Sequence, residues 1–454
     1  MKSNKVMNFV IILLVITAVC QTGKLWLGDV ASHSFFYTTF AKGIVQPQKV
    51  YAESGAISPA RIVMGYGNKK FSLSYISTDD NSIINYADSI IKGSLNNGIY
   101  LKKNNFEWDD ILLSKCVIYD YGKLVSSLDY FSIKKLPEMD FKFDYIFIYP
   151  SRATGEDTRV SFINSYDETE VLYTFKKNTD SEELYNIIEQ NQIKENDIMY
   201  ISTKQSGFNI FEKNIFLPQW TGETYSYSSI TKNNPFMIDG NISINLLENS
   251  VDTFFKNFIS QWYDNINGVS TFSDDTTVVK YYPSGVLEYF NYNIVEESKS
   301  NFFTSYTACK NFMQNDVTLK TNYYLKDFIK DSDGNYIFYF DYMVEKFPLI
   351  LSDNIKDETE LKSSIEITVK NNLVVRYKRY AFNFYIQSSK DSVANCDFLT
   401  ALDSVISNLN EEDKKQKVDD IRLAYCIDKA NTIKLKWFIK IDDTYYTVKS
   451  TKFD

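Results

Sequence analysis

Apolar and polar positions divide this chain into one long uncharged run followed by many short periodic segments. Val6 through Cys20 carries no charge, and the run continues through Gln21, Thr22 and Gly23 to Leu25, Trp26 and Leu27. A helix needs about 20 apolar residues to cross the hydrocarbon of a bilayer. The run reaches that length when Thr22, Gly23 and the stem of Lys24 lie at the outer interface. Beyond it, short strands over 61–64 and 71–76 flank a turn at Gly65 to Asn68. Ile83, Ile84, Ala87, Ile90, Ile91 and Leu95 recur at helical spacing, which predicts a helix over 82–95 stopped by Asn97-Gly98. A further helix is expected over 107–113, then a strand over 117–119. The apolar run 144–149, a strand pair at 159–163 and 170–175, a helix over 181–190 with Ser181 as its N-cap, and a strand over 197–203 follow.

Residues 215–234 show little periodicity and read as an extended connector. Val251, Phe254, Phe255, Phe258, Ile259 and Trp262 share one face of a helix expected over 251–262. Pro283-Ser284-Gly285 joins strands 278–282 and 286–290 into a hairpin. A helix over 301–313 then precedes strands at 322–329 and 336–344, and a hairpin at 364–384 turns about Asn371-Asn372. The same order returns as a helix over 398–409 before strands at 420–427, 434–441 and 445–449. A helix followed by antiparallel strands, given twice, suggests a duplicated α+β unit.

The expected fold class is therefore α+β, an N-terminal transmembrane helix followed by a multi-lobed ectodomain of antiparallel sheets with packed helices. The boundaries are a cytoplasmic tail at 1–5, the spanning helix at 6–27 and a juxtamembrane stretch at 28–56. A first ectodomain lobe at 57–140, a central α+β lobe at 141–235 and a C-terminal domain at 236–454 complete it. Lys2 and Lys5 precede the run and place the N-terminus in the cytoplasm, with the rest outside the cell membrane. A cleaved signal peptide has the same charged start, although no Ala-x-Ala site follows closely. A lipoprotein signal ending at Cys20 is a third reading, with Val19 where a small residue is usual.

The formal charge of -9 argues against nucleic acid, whose phosphates call for a basic surface. It also sets the ectodomain against anionic membrane or wall polymers unless cations bridge them. With 34 Tyr and 33 Phe against 8 Pro and 16 Gly, the composition favours half-buried antiparallel sheet. His33, the one histidine, lies just beyond the membrane run, which removes His-based acid/base chemistry and His-rich metal sites from the ectodomain. Cys116, Cys309, Cys396 and Cys426 lie far apart and allow three disulfide pairings. Buried free thiols are favoured, because Cys309 and Cys426 occupy apolar positions of expected elements.

Candidate chemistry is sparse. Asp331, Asp333 and Asn335 resemble a calcium loop, yet Gly334 comes at its fourth position and not its sixth, so a hairpin turn is expected. The pairs Asp79-Asp80, Asp109-Asp110, Asp274-Asp275, Asp419-Asp420 and Asp442-Asp443 read as solvated turns and helix caps rather than catalytic carboxylates. No G-x-S-x-G, H-E-x-x-H or S-x-x-K with K-T-G occurs. In the spanning run, Val10, Leu14, Thr17 and Gln21 are spaced four, three and four apart and share one helix face. Thr17 and Gln21 can hydrogen-bond across a helix interface, which points to a partner within the membrane, or Gln21 simply sits near the headgroups.

The Leu25-Trp26 pair closing the membrane run and Ile57-Ser58-Pro59-Ala60-Arg61-Ile62-Val63-Met64 resemble the start of the YycH family of Gram-positive regulatory proteins. The hairpin Val279 to Tyr289, ending in Leu287-Glu288-Tyr289, is similar to its C-terminal half. Tyr324-Leu325, Tyr336 to Phe340 and Phe347-Pro348-Leu349 resemble strands shared with the sister protein YycI, as do Asp420 to Tyr425 and Leu435 to Ile439, apart from Ala424 and Lys436. The resemblance implies a YycI-like C-terminal domain, no catalysis and no cofactor. It also implies association with a YycI-like protein and with the essential sensor histidine kinase WalK (YycG), whose two-component system controls cell-wall metabolism. Contacts between membrane helices would carry the regulation. An extracytoplasmic binding protein for a cell-wall fragment or peptide is the alternative.

Overall fold

Alternation along single strands builds the first sheet. In the computed structural model, Val117 and Tyr119 of one strand pack on one face while Cys116 and Ile118 pack on the other. The apolar run over 144–149 does the same, with Ile146 and Ile148 opposite Tyr145, Phe147 and Tyr149, so it is a strand buried on both faces. The structure describes residues 59–447 except segments 76–80, 131–140, 153–156, 192–197, 220–224, 256–261, 294–300, 395–397, 410–416, 429–431 and 442–443 and positions 105, 107, 128–129, 177–178 and 209. All described residues fall in one compact unit, Ala52–Asp454.

The first sheet comprises β1 (Arg61–Tyr66), β2 (Phe71–Tyr75), β3 (Ile99–Asn104), β4 (Lys115–Ser126), β5 (Lys142–Tyr149), β6 (Asp157–Asn164), β7 (Thr169–Lys176), β8 (Met199–Ser202) and β9 (Phe216–Gln219). They lie in the order β3-β7-β6-β5-β4-β1-β2-β8-β9, antiparallel throughout. Helices α1 (Asn81–Asn97) and α3 (Thr179–Gln190) cover one face through Ala87, Ile90, Ile91, Leu184 and Ile188. The short α2 (Trp108–Leu112) covers the other with Trp108, Ile111 and Leu112. Another short helix, α4 (Thr203–Ser206), follows β8.

Next in the chain come β10 (Tyr225–Asn233), the small hairpin β11 (Met237–Ile238) and β12 (Asn241–Ile242), and helix α5 (Ile244–Val251). The second sheet then takes β13 (Trp262–Ile266), β14 (Val269–Ser273), β15 (Thr277–Tyr281), β16 (Val286–Asn291), β17 (Tyr323–Lys330), β18 (Tyr336–Val344), β19 (Phe347–Leu351), β20 (Ile365–Lys370) and β21 (Leu373–Tyr380). Strand β22 (Asn383–Ala394) leaves it to pair with β10. Strands β23 (Val418–Ile427), β24 (Ile433–Ile441) and β25 (Thr444–Thr447) complete it. Its order is β13-β14-β15-β16-β21-β20-β18-β19-β23-β24-β25, with β17 paired to β18 beside that path.

The expected duplication is visible in the order of elements. Helix α6 (Phe302–Gln314) precedes β17 and β18, and helix α8 (Phe398–Asn408) precedes β23 to β25. The two sets meet in the parallel pair β19–β23, the one parallel pairing among the described strands of this sheet. Between them sits the short α7 (Asp353–Thr359). The many rings are used in cores. Phe302 packs within 4.5 to 5.7 Å of Tyr306, Phe328, Tyr336 and Phe338 by ring centroid. Tyr121, Tyr130, Phe143 and Phe162 form a similar group in the first sheet.

Four expectations need correction. The helix expected over 251–262 is not seen in its described part: α5 ends at Val251, a 3-10 turn follows at Asp252–Phe254, and Trp262 opens β13, while 256–261, with Phe258 and Ile259, lie outside the described residues. Asn267-Gly268 accounts for the strand at Trp262, because both residues adopt positive φ (53° and 81°) and close a two-residue hairpin between β13 and β14. The stretch 215–234 is extended but not free, since β9 pairs with β8 and β10 with β22. Ser181 does not cap α3 from outside. It lies buried within the helix, where its hydroxyl accepts from the Ser151 N–H at 2.8 Å and meets Thr158 Oγ1 at 2.8 Å. Asp419-Asp420 is not a solvated turn, for both residues belong to β23 and Asp420 is buried.

Other expectations stand. The loop after β17 is a hairpin turn in which the Asp331 carboxylate accepts from the N–H groups of Asp333 and Asn335. Cys116, Cys309 and Cys426 are buried free thiols, and burial pushes the Cys116 thiol up to about 12. The spanning run 6–27 and its face Val10, Leu14, Thr17 and Gln21 lie outside the described residues. Among the described residues no helix is long and apolar enough to cross a membrane.

Candidate functional site

Two strand irregularities meet where the sheets join. In β4 the pairing with β5 slips between Asp120 and Val125, and Gly122 takes a positive φ of 69°. In β23 the pairing with β24 slips between Val418 and Asp420. Bulges of this kind bend a strand and re-aim its side chains. Around them Asp120 and Lys123 of the first sheet face Asp420 and Asp327 of the second, the last beside a further slip between Leu325 and Asp327 of β17.

Arg61, at the start of β1, is the centre of that junction. Its Nε donates to Asp120 Oδ2 and its Nη1 to Asp420 Oδ1, both at 2.8 Å. The carboxylate of Asp420 also accepts from Arg422 Nε at 2.8 Å, and Arg422 reaches on to the hydroxyls of Tyr324, at 3.3 Å, and Tyr445. Asp120 Oδ1 accepts from the Gly122 N–H at 2.8 Å, which pins the bulge. Behind it, buried Lys213 donates to the Gly122 carbonyl at 3.2 Å and lies 3.4 Å from Asp144 Oδ2. Lys123 makes a second crossing, to Asp327 and the Phe328 carbonyl, with its ammonium 3.7 Å from the Phe328 ring centroid.

Burial makes these partnerships obligatory, since a buried charge left alone is far more costly than one exposed to water. Arg61 is 4% exposed, Asp120 fully buried and Asp420 6% exposed. Burial pushes the Asp420 carboxyl up, but the Arg422 and Arg61 guanidiniums outweigh it and hold the group well below the usual carboxylate range. Its neighbour Asp419 moves the opposite way. Burial and a hydrogen bond with Glu212 push it up to about 7, against the pull of Lys440. Backbone bonds reinforce the junction, with Val418 N–H donating to Ile210 and Glu212 N–H to Val418.

Above this network lies an open cleft of about 690 Å³. Arg61, Lys123, Lys213, Lys326, Lys356, Lys362, Arg422 and Lys440 line it, against Asp327, Asp353, Asp419 and Asp420, with Tyr121, Tyr166, Tyr324 and Tyr445 between them. Basic side chains thus outnumber acidic ones in the lining, within a chain of net charge -9. The basic lining groups are hydrogen-bond donors suited to phosphate or carboxylate oxygens. Among the described residues no cluster of His, Cys, Asp and Glu is arranged to hold a metal ion.

Sequence reasoning missed this cleft. Its basic residues come from at least six separated stretches, so no charge run or motif marks them. The signal that existed was polar residues inside otherwise apolar strand segments, Arg61 before Ile62-Val63 and Asp420 and Arg422 around Ile421.

The sequence matches no family model and no curated protein. Among solved structures, the crystal structure of YycH from Bacillus subtilis aligns with a TM-score of 0.54 at 12% identity, covering 88% of this chain and 97% of that chain. The C-terminal domain of Bacillus megaterium YpeB aligns at a TM-score of 0.27 and 8% identity, over 46% of this chain and 94% of that one, too distant to bear on the fold. The chain has a YycH-like fold, a mixed α+β architecture dominated by antiparallel sheets.

Proposed function

We propose that this chain is a non-enzymatic, membrane-anchored regulator of a sensor histidine kinase of the WalK (YycG) type, acting with a YycI-like partner in control of cell-wall metabolism. The observation that carries this reading is the correspondence with YycH over 97% of that chain. The resemblance of short sequence stretches to the same family supports it from an independent direction. In this reading residues 1–5 are cytoplasmic, 6–27 span the membrane, and 28–56 link to an extracellular part divided at 57–140, 141–235 and 236–454.

Regulation then requires a preference between kinase states, because a partner binding both states equally shifts neither. The face formed by Val10, Leu14, Thr17 and Gln21 is the proposed contact. Co-purification of the kinase with the full-length chain, with a form beginning at Gly28, and with T17L/Q21L tests it. Kinase recovered with the first form alone supports the membrane contact. Recovery with the form beginning at Gly28 moves the contact to the extracellular part, and recovery with none contradicts the reading.

The alternative, an extracytoplasmic binding protein, gains support from the cleft. Most rings are consumed in cores, yet four tyrosines and several cationic groups converge there.

A further inference from the structure

An open sheet ends in strands whose outer N–H and C=O groups have no neighbour, and such edges pair with other chains unless something prevents it. Four strands end the paths of the two large sheets, β3 and β9 in the first and β13 and β25 in the second. Three of them are protected: the sequence of β3 includes Lys102 and Lys103, β9 is four residues long and contains Pro218, and β25 is also four residues long. Strand β13 has neither lysine nor proline. Its five residues, Trp262, Tyr263, Asp264, Asn265 and Ile266, are all exposed, Trp262 to 76% and Ile266 to 63%.

The two-residue turn at Asn267-Gly268 makes Ile266 and Val269 a hydrogen-bonded pair, so by alternation Asp264 and Trp262 also bond to β14. The N–H and C=O groups of Tyr263 and Asn265 are then directed to the outer edge, where β13 pairs with no other described strand. Trp262, Asp264 and Ile266 share one face, and Asp264 stands opposite the neutral Thr271 of β14. The geometry points to β13 as a docking edge for an extended segment of a different protein chain. That segment adds a strand with a lysine or arginine opposite Asp264 and apolar residues two positions to either side of it. The outward backbone groups call for a strand. The sequence of apolar, acidic and apolar side chains calls for that pattern, because opposite charges stabilise directly facing positions and like charges destabilise them. The same rule disfavours a second copy of this chain. Antiparallel pairing of β13 with itself over its full length sets Asp264 against its own counterpart, and the shifted registers set it against Trp262 or Ile266, with no cation in reach. This edge does not depend on the membrane contact proposed above.

The test is fluorescence anisotropy of a labelled peptide, Thr-Val-Thr-Lys-Thr-Val-Thr, titrated with the full-length protein in detergent. Saturable binding is expected, weakened at least tenfold when Glu replaces the peptide's Lys and lost when the peptide's amides are N-methylated. D264K is expected to reverse the preference, taking the Glu peptide over the Lys peptide, with circular dichroism confirming the fold. The exchange of peptides alone remains decisive should D264K misfold. The proposal is overturned if the Lys peptide does not bind, if the two peptides bind equally, if the N-methylated peptide binds as the parent does, or if folded D264K keeps the Lys preference. A dimer seen by sedimentation equilibrium that W262D converts to a monomer would give the edge to a second copy and overturn it as well.

Discussion

The interiors of the two sheets and the junction between them are built from different materials. Inside each sheet, rings pack edge-to-face and aliphatic side chains fill both faces, so cohesion comes from dispersion and the removal of apolar surface from water. At the junction an Arg61-centred set of ion pairs and hydrogen bonds joins β1, β4 and β23, and Lys123 adds a second crossing. Apolar burial has no pH dependence and little specificity of direction. Buried ion pairs have both, and removing one partner strands the other. The junction is therefore a part of the molecule where pH, salt or a charged ligand can act, and the fully buried Arg379–Asp316 pair of the second sheet is another site of buried charge.

That contrast is open to direct attack. Arg61→Met leaves Asp120 and Asp420 buried without their shared cation, and is expected to lower unfolding stability by about 3 to 5 kcal/mol in urea titrations. Adding D120N and D420N should restore part of the loss, whereas a purely steric role for Arg61 would leave it unrestored. Leu349→Ala, at a fully buried position of β19, should lower stability by about 2 to 5 kcal/mol. Its effect should be the same in dilute and in molar salt.

Acid sharpens the comparison next. The folded-state pKa of Asp420 lies below its ordinary value of 3.8, so its contribution is complete above that value and is lost as pH falls below it. Asp419 is raised to about 7, so the folded state binds the extra proton between 3.8 and about 7, and stability falls as pH rises through that window. D420N should flatten the acid limb and D419N the limb above it. Thermal melts at several pH values separate the two, and an unchanged profile in both variants would show that the junction does not govern the pH response. The smallest effect is expected from Lys69→Ala, which breaks an exposed pair with Asp109 and should change stability by at most about 1 kcal/mol.

How much was legible in the sequence follows the same division. Periodicity located β1, β2, α1, the β6–β7 pair, α6 and the hairpins at Gly285 and Asn371-Asn372, because those patterns are set by which residues a single sheet face must bury. It failed at Phe254 and at Trp262, where helical spacing gave way to a 3-10 turn and to the strand set by the Asn267-Gly268 hairpin. The cleft was not legible, since Arg61 and Asp420 are 359 positions apart and meet only where the two sheets join. Asp419-Asp420 looked like every other acidic pair until its burial in β23 separated it from Asp274, which does sit in a turn, accepting from the N–H groups of Thr276 and Thr277.

The regulatory reading has one direct test. The kinase is reconstituted in proteoliposomes and its autophosphorylation rate measured alone, with the full-length chain co-inserted, and with the form beginning at Gly28 added outside. The account predicts a rate changed about fivefold or more by the full-length chain, in keeping with ordinary coupling energies, and a basal rate with the shortened form. A basal rate in the presence of the full-length chain would contradict it.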